Sequence, residues 1–221
     1  MNVIARLRGW ARGHTRAGRY SPVGQTFHWG LAGLVFLQLW WGWRMGRMPV
    51  GADKLDAYQV HAQLGLLTLI LMLLRMTWRA FIPGPINDAD RQGWRTVAAH
   101  IGHYLFYFLL VALPISGWMM WSAMAPKQPL SIFGLPWPHL PIGDLAAETR
   151  WTLMRSMQAL HFWLVVILVG LIVVHAGAAL QHHFIDRDDA FAAMAPLVEP
   201  LQPKRPEGTP HTPLKPDAPP S

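Results

Sequence analysis

Eight of the eleven histidines fall in or beside stretches that contain no Asp, Glu, Lys or Arg: His28, His61, His100, His103, His161, His175, His182 and His183. Imidazole can ligate a metal, carry a proton or hydrogen-bond across helices. One such residue inside an apolar segment is explained by a helix–helix hydrogen bond. Several at matched positions point to a shared site, because ionisable groups inside a membrane are costly and mark function by default.

The segments that must position them are unusually poor in charge. The chain has 221 residues, 52% hydrophobic and only 14% charged, where a soluble domain carries about 25% charged residues. Uncharged gaps run from Arg19 to Arg44, Asp56 to Arg75, Arg95 to Lys127 and Arg155 to Asp186. Each holds roughly 18 to 31 residues, and a helix needs about 20 to cross the hydrocarbon core. Backbone polar groups in lipid must be satisfied within the span, so four transmembrane helices are predicted. They cover about 27–43, 58–78, 101–123 and 158–181. The fold class is therefore all-α, an integral membrane four-helix bundle. Trp40, Trp41, Trp43, Trp78, Trp118, Trp121 and Trp151 sit near span ends as an interfacial belt. Trp29 and Trp163 read equally well as core.

Thirteen of the nineteen Lys and Arg residues lie in the N-terminal segment, the second loop and the C-terminal tail. The positive-inside rule then puts both termini in the cytoplasm. The first apolar stretch is longer than a signal-peptide core and lacks an A-x-A-like cleavage site, so it reads as a retained span. Three regions follow: a basic cytoplasmic segment at 1–19, a membrane domain at 20–187, and a Pro-rich, disordered cytoplasmic tail at 188–221. The third loop, with five prolines among apolar residues, is expected on the outer membrane surface or capping the bundle there. Pro114 should kink the third span.

Several classes are excluded. The chain has no cysteine, so it has no disulfide, no cysteine-ligated iron–sulfur cluster and no c-type haem attachment. Nucleotide-binding and zinc-protease motifs are absent. The net charge of +7 has a membrane explanation, and no nucleic acid partner is expected.

At 1.5 Å per residue, His61 and His161 lie roughly 8 Å inside the outer boundary, and His28 and His175 roughly 13–17 Å inside the cytoplasmic one. His161 and His175 are fourteen residues apart on one helix. They face within about 40° of each other with a rise of about 21 Å. One helix thus offers an imidazole to each of two stacked sites. Bis-imidazole ligation between facing helices is a known way to hold b-type haem. The competing reading is a haem-free bundle using the histidines for structure, metal or proton transport. His103, roughly 12 Å from the cytoplasmic side, competes with His28 as partner of His175, and depth alone does not choose. His182 and His183 read as interfacial, with a quinone or proton role as the minor alternative. Arg75, fourteen residues after His61, shares its face at the inner level. It reads equally as a bidentate partner of a haem propionate or as a cation snorkelling to the interface.

Taken together, these stretches resemble the bacterial cytochrome b561 and nickel-hydrogenase cytochrome b family. The match is carried by Tyr20 to Trp29 (Y-S-P-V-G-Q-T-F-H-W), by Val60-His61 with the apolar run to Arg75, and by A-H-I-G-H at Ala99 to His103. It continues through Ala112 to Gly117 (A-L-P-I-S-G), Leu160-His161 through Val174-His175, and Leu180 to His183 (L-Q-H-H). The resemblance implies two b haems with iron ligands His28, His61, His161 and His175, favouring His28 over His103. Two axial imidazoles leave no open iron position, so electron transfer is expected rather than oxygen binding. The implied activity is transmembrane electron transfer in a bacterial inner membrane, to or from ubiquinone or another quinone in a respiratory chain. The donor would be a small reductant such as superoxide, or a protein such as a hydrogenase or dehydrogenase subunit.

Overall fold

The computed structural model describes residues 3–16, 19–82 and 93–198. Most of the expected tail, at 199–221, lies outside them, as does the stretch 83–92 of the second loop. A first helix, α1 (Val3–Arg16), precedes four long ones: α2 (Pro22–Gly46), α3 (Ala52–Phe81), α4 (Trp94–Ser122) and α5 (Ala147–Gln181). A π-helical turn (His182–Asp186) and a short α6 (Ala190–Met194) follow. α3 overruns its uncharged gap at both ends, α4 and α5 at the N-terminal end and α2 at the C-terminal end, because a helix does not stop where the hydrocarbon does. Ser21 caps α2 through its hydroxyl, which accepts from Gly24 N, and Pro22 occupies the first turn, where its missing N–H costs nothing. α4 runs unbroken through Pro114.

Three helical segments are long and apolar enough to cross a membrane: Ala52–Phe81, Thr96–Ser122 and Ala147–Asp186. α2 is about as long, roughly 37 Å at 1.5 Å per residue, but is less apolar. Its four tryptophans, two glutamines and His28 lower its mean hydropathy, although tryptophan is at home where a span meets the headgroups.

Each long helix packs on the next: α2 on α3, α3 on α4, and α4 on α5. The edge from α5 back to α2 lacks such close backbone packing. An apolar layer nevertheless joins α2, α4 and α5 at mid-height, formed by Val35, Leu109, Leu113, Leu164 and Leu168. Outside it, Val173, Val174, Phe162 and Trp163 are exposed, as the lipid-facing side of a span should be. Trp163, at 61% exposure, is not core, and Trp29, at 45%, is half out and donates to Met194 O.

The third loop caps one end of the bundle. Strands β1 (Ser131–Ile132) and β2 (Leu135–Pro136) form an antiparallel hairpin. Phe133 and Gly134 both take positive φ at its turn, which two-residue hairpins favour because it matches strand twist. Leu130 and Ile132 pack with Leu66 and Trp121 as a second core. The cap is pinned by Trp118 Nε1 donating to Pro138 O at 2.9 Å and Leu140 N donating to Ser122 Oγ at 3.0 Å.

At the opposite end, α6 lies beyond residue 187, where the tail was expected to begin. Tyr20 N and Gln25 Nε2 donate to Ala193 O, and the Arg19 guanidinium donates to Ala195 O. Ala192, Ala193 and Ala195 are buried. The segment therefore laces the end of α5 back to the start of α2.

Candidate haem sites

The four expected site residues come together as two pairs. The rings of His61 on α3 and His161 on α5 have centroids 6.2 Å apart. Those of His28 on α2 and His175 on α5 are also 6.2 Å apart. Two imidazoles sharing one metal ion from opposite sides have centroids about 6 Å apart, since each nitrogen is about 2 Å from the metal and about 1 Å from its ring centre. Both pairs fit that span. The apolar layer of Leu164 and Leu168 lies between the two levels along α5.

His103 on α4 also stands 6.2 Å from His175, so ring separation does not choose between it and His28. The two differ in the packing of the helices that carry them. α4 and α5 are in close contact, whereas α2 and α5 are not, and a porphyrin needs room between the helices that ligate it. The same holds for α3 and α5, which carry the other pair.

The His61–His161 pair shows further detail. His161 Nδ1 lies 2.8 Å from Ser116 Oγ. The Ser116 hydroxyl proton is committed to Leu113 O, also at 2.8 Å. Gly42 and Gly117 flank the two rings. A Cβ at Gly42 would sit 3.5 Å from His61 Cε1, and one at Gly117 would sit 3.8 Å from His161 Cε1. Both are ordinary van der Waals distances, so the two glycines line the rings without being required by the space. His61 Nδ1 is buried with no hydrogen-bond partner.

At the inner level, Arg75 hydrogen-bonds Tyr107 and lies close enough to His28 and His175 to act on them electrostatically. Arg79, one turn on, stacks over the Tyr20 ring at 5.0 Å. Arg75 thus lies beside the His28–His175 pair, while Arg79 acts on His103. Phe106 packs edge-on against His175 at 5.2 Å.

His182 and His183 belong to a different place. His182 Nδ1 is 2.5 Å from Asp188 Oδ2 and 3.5 Å from Asp186 Oδ2. Asp188 Oδ1 accepts from Ala190 N, and the His183 ring packs on Phe191. The two histidines join α5 to α6. Among the described residues, His182, Asp186 and Asp188 also form a group whose ligand atoms lie within 4.8 Å of one another, but their short contacts already account for the imidazole. His100 is exposed near the start of α4. The sequence assigned no role to Ser116, although it lies in the matching A-L-P-I-S-G stretch, nor to Gly42, Tyr107 or Asp188, because each matters only through a contact from another element.

A bundle of apolar helices with intramembrane imidazoles paired at two levels defines a class: membrane proteins able to hold haem between helices. Comparison with known proteins makes the class specific. The family model described as prokaryotic cytochrome b561 matches residues 19–196, and the chain belongs to that family. It is 32% identical over 179 residues to cytochrome b561 homolog 2 of Escherichia coli, covering 80% of this chain and 90% of that protein. It is 28% identical over 183 residues to probable superoxide oxidase CybB of Yersinia pestis, covering 80% and 96%. Cytochrome b561 homolog 1 of Escherichia coli is 25% identical over 186 residues, covering 80% and 97%.

Proposed function

We propose that this protein is a dihaem b-type cytochrome that carries electrons across a bacterial inner membrane to quinone. The observation that carries the reading is the pair of imidazole couples, each 6.2 Å apart, sharing α5. His61 and His161 hold the outer haem, and His28 and His175 the inner one. All four long helices cross the bilayer, with both termini cytoplasmic. Each haem supplies a one-electron carrier when bound. The chain's own residues fix the two positions, keep water away with the apolar layer between them, and set Arg75 toward the propionates of the inner group.

Superoxide is the favoured donor, and a hydrogenase or dehydrogenase subunit the alternative. A relative bearing the name of a probable superoxide oxidase supports the first choice. So do the cations at the outer end of the bundle. Arg47 lies over Trp43 at 4.1 Å, Arg44 over Trp41 at 5.3 Å, and Lys54 over Tyr58 at 5.9 Å. Aromatic rings hold these side chains at the rim without cancelling their charge, which favours approach of an anion. Two superoxide ions would each release one electron and become dioxygen, and one quinone would take both electrons and two protons to become quinol. No side chain is assigned a catalytic role. A pyridine haemochrome assay on the purified chain should find two b haems per polypeptide. One haem per chain overturns the dihaem reading, and none overturns the cytochrome reading.

A further inference from the structure

Ser116 is 2% exposed and sits on α4 beside the outer pair. Its hydroxyl carries one proton, and that proton is directed to Leu113 O at 2.8 Å. The oxygen therefore has only lone pairs to offer His161 Nδ1, also at 2.8 Å. Leu113 O itself lies within hydrogen-bonding reach of His161. A carbonyl that can only accept, and a hydroxyl whose proton that carbonyl can take, thus converge on one imidazole. We infer that Ser116 is a positioning residue that holds His161 in the Nδ1–H tautomer, with the Nε2 lone pair presented toward His61, and thereby sets the outer haem apart from the inner one in potential.

The chemistry follows from which nitrogen carries the proton. A neutral imidazole ligates through the nitrogen without it, and an acceptor on the other N–H fixes ring orientation and makes the ligand more basic. A more basic ligand favours the oxidised metal. The outer pair is asymmetric in this respect, because His61 Nδ1 is buried without a partner. One ligand is held from behind, and the other is held only by packing, with Gly42 alongside.

The inference rests on the proposed haem ligation and is tested on the haem-loaded chain by redox titration. The lower- and higher-potential waves are assigned with His28→Ala, which is expected to keep only the outer haem. Ser116→Ala should keep both haems and raise only the outer potential. The expected rise is several-fold and at most about tenfold in the reduction equilibrium, where tenfold is about 59 mV for a one-electron couple. Leu113 O, still in reach, limits the change. Ser116→Thr, which keeps the hydroxyl, should restore the original value. If Ser116→Ala sheds the outer haem, its retention in Ser116→Thr supports the inference and its loss there overturns it. Unchanged potentials, a shift of the inner haem instead, or a shift that threonine does not reverse overturn it. A wild-type chain without two haems overturns the functional reading together with this one, whereas a dihaem wild type with an indifferent Ser116→Ala overturns this one alone.

Discussion

A ligand histidine and a structural histidine differ in what their removal takes away. His61→Ala should eliminate the outer haem and spare the inner one, and His175→Ala should do the reverse, each read by haem content and two-wave titration. His28→Ala should abolish the inner haem while His103→Ala only perturbs it, because α4 packs closely on α5 and α2 does not. Loss of the inner haem in His103→Ala alone would exchange the two assignments. Arg75 invites a charge argument. It lies near both inner imidazoles and is oriented by Tyr107. Removing its positive charge in Arg75→Leu makes adding an electron nearby less favourable, so the inner potential should fall while the outer one stays. An unchanged inner potential would return Arg75 to the snorkelling role.

The long helices were legible because their apolar stretches have a length set by the bilayer. α6 was not, since Ala190 to Met194 is too short to show a periodicity and is followed by proline. Its structure comes from contacts: backbone and side-chain bonds from Arg19, Tyr20, Gln25 and Trp29 reach its carbonyls. A chain ending at residue 187 loses all of these. At about 1 kcal/mol per hydrogen bond, and about 2–4 °C of melting temperature per kcal/mol at this size, it should melt several degrees lower and hold the inner haem less well. A chain ending at residue 198 keeps every described α6 contact and should melt like the full length. Equal melting of the two shortened forms would show that the lacing carries no stability.

Across the whole molecule the two ends differ in electrostatics and in cover. One end has the hairpin cap and aromatic-held cations, and the other has Arg75 beside an imidazole pair and the α6 strap. Stopped-flow reduction of the oxidised protein by superoxide should be fast and should slow as ionic strength rises, because salt screens attraction between the cationic rim and an anion. Slow reduction by superoxide, beside rapid reduction by a co-purified dehydrogenase or hydrogenase, would favour the membrane-subunit alternative. A rate indifferent to salt would remove the rim cations from the encounter.

Spacing alone was enough to read four long apolar segments, one helix carrying two imidazoles a fourteen-residue step apart, and the depth match of His61 with His161 and of His28 with His175. Those features are one-dimensional: charge gaps measure the bilayer, and helical geometry converts residue number into height and angle. Which helices stand apart and which touch is not one-dimensional. The packing of α4 on α5, with α2 left at a distance, is what the tertiary structure adds where depth and ring separation are equal for His28 and His103. Only the approach of α4 brings Ser116 behind His161, and only the return of α6 to α2 gives His182 and Asp188 a structural task. These depend on side-chain shape, whose effect appears when two helices meet.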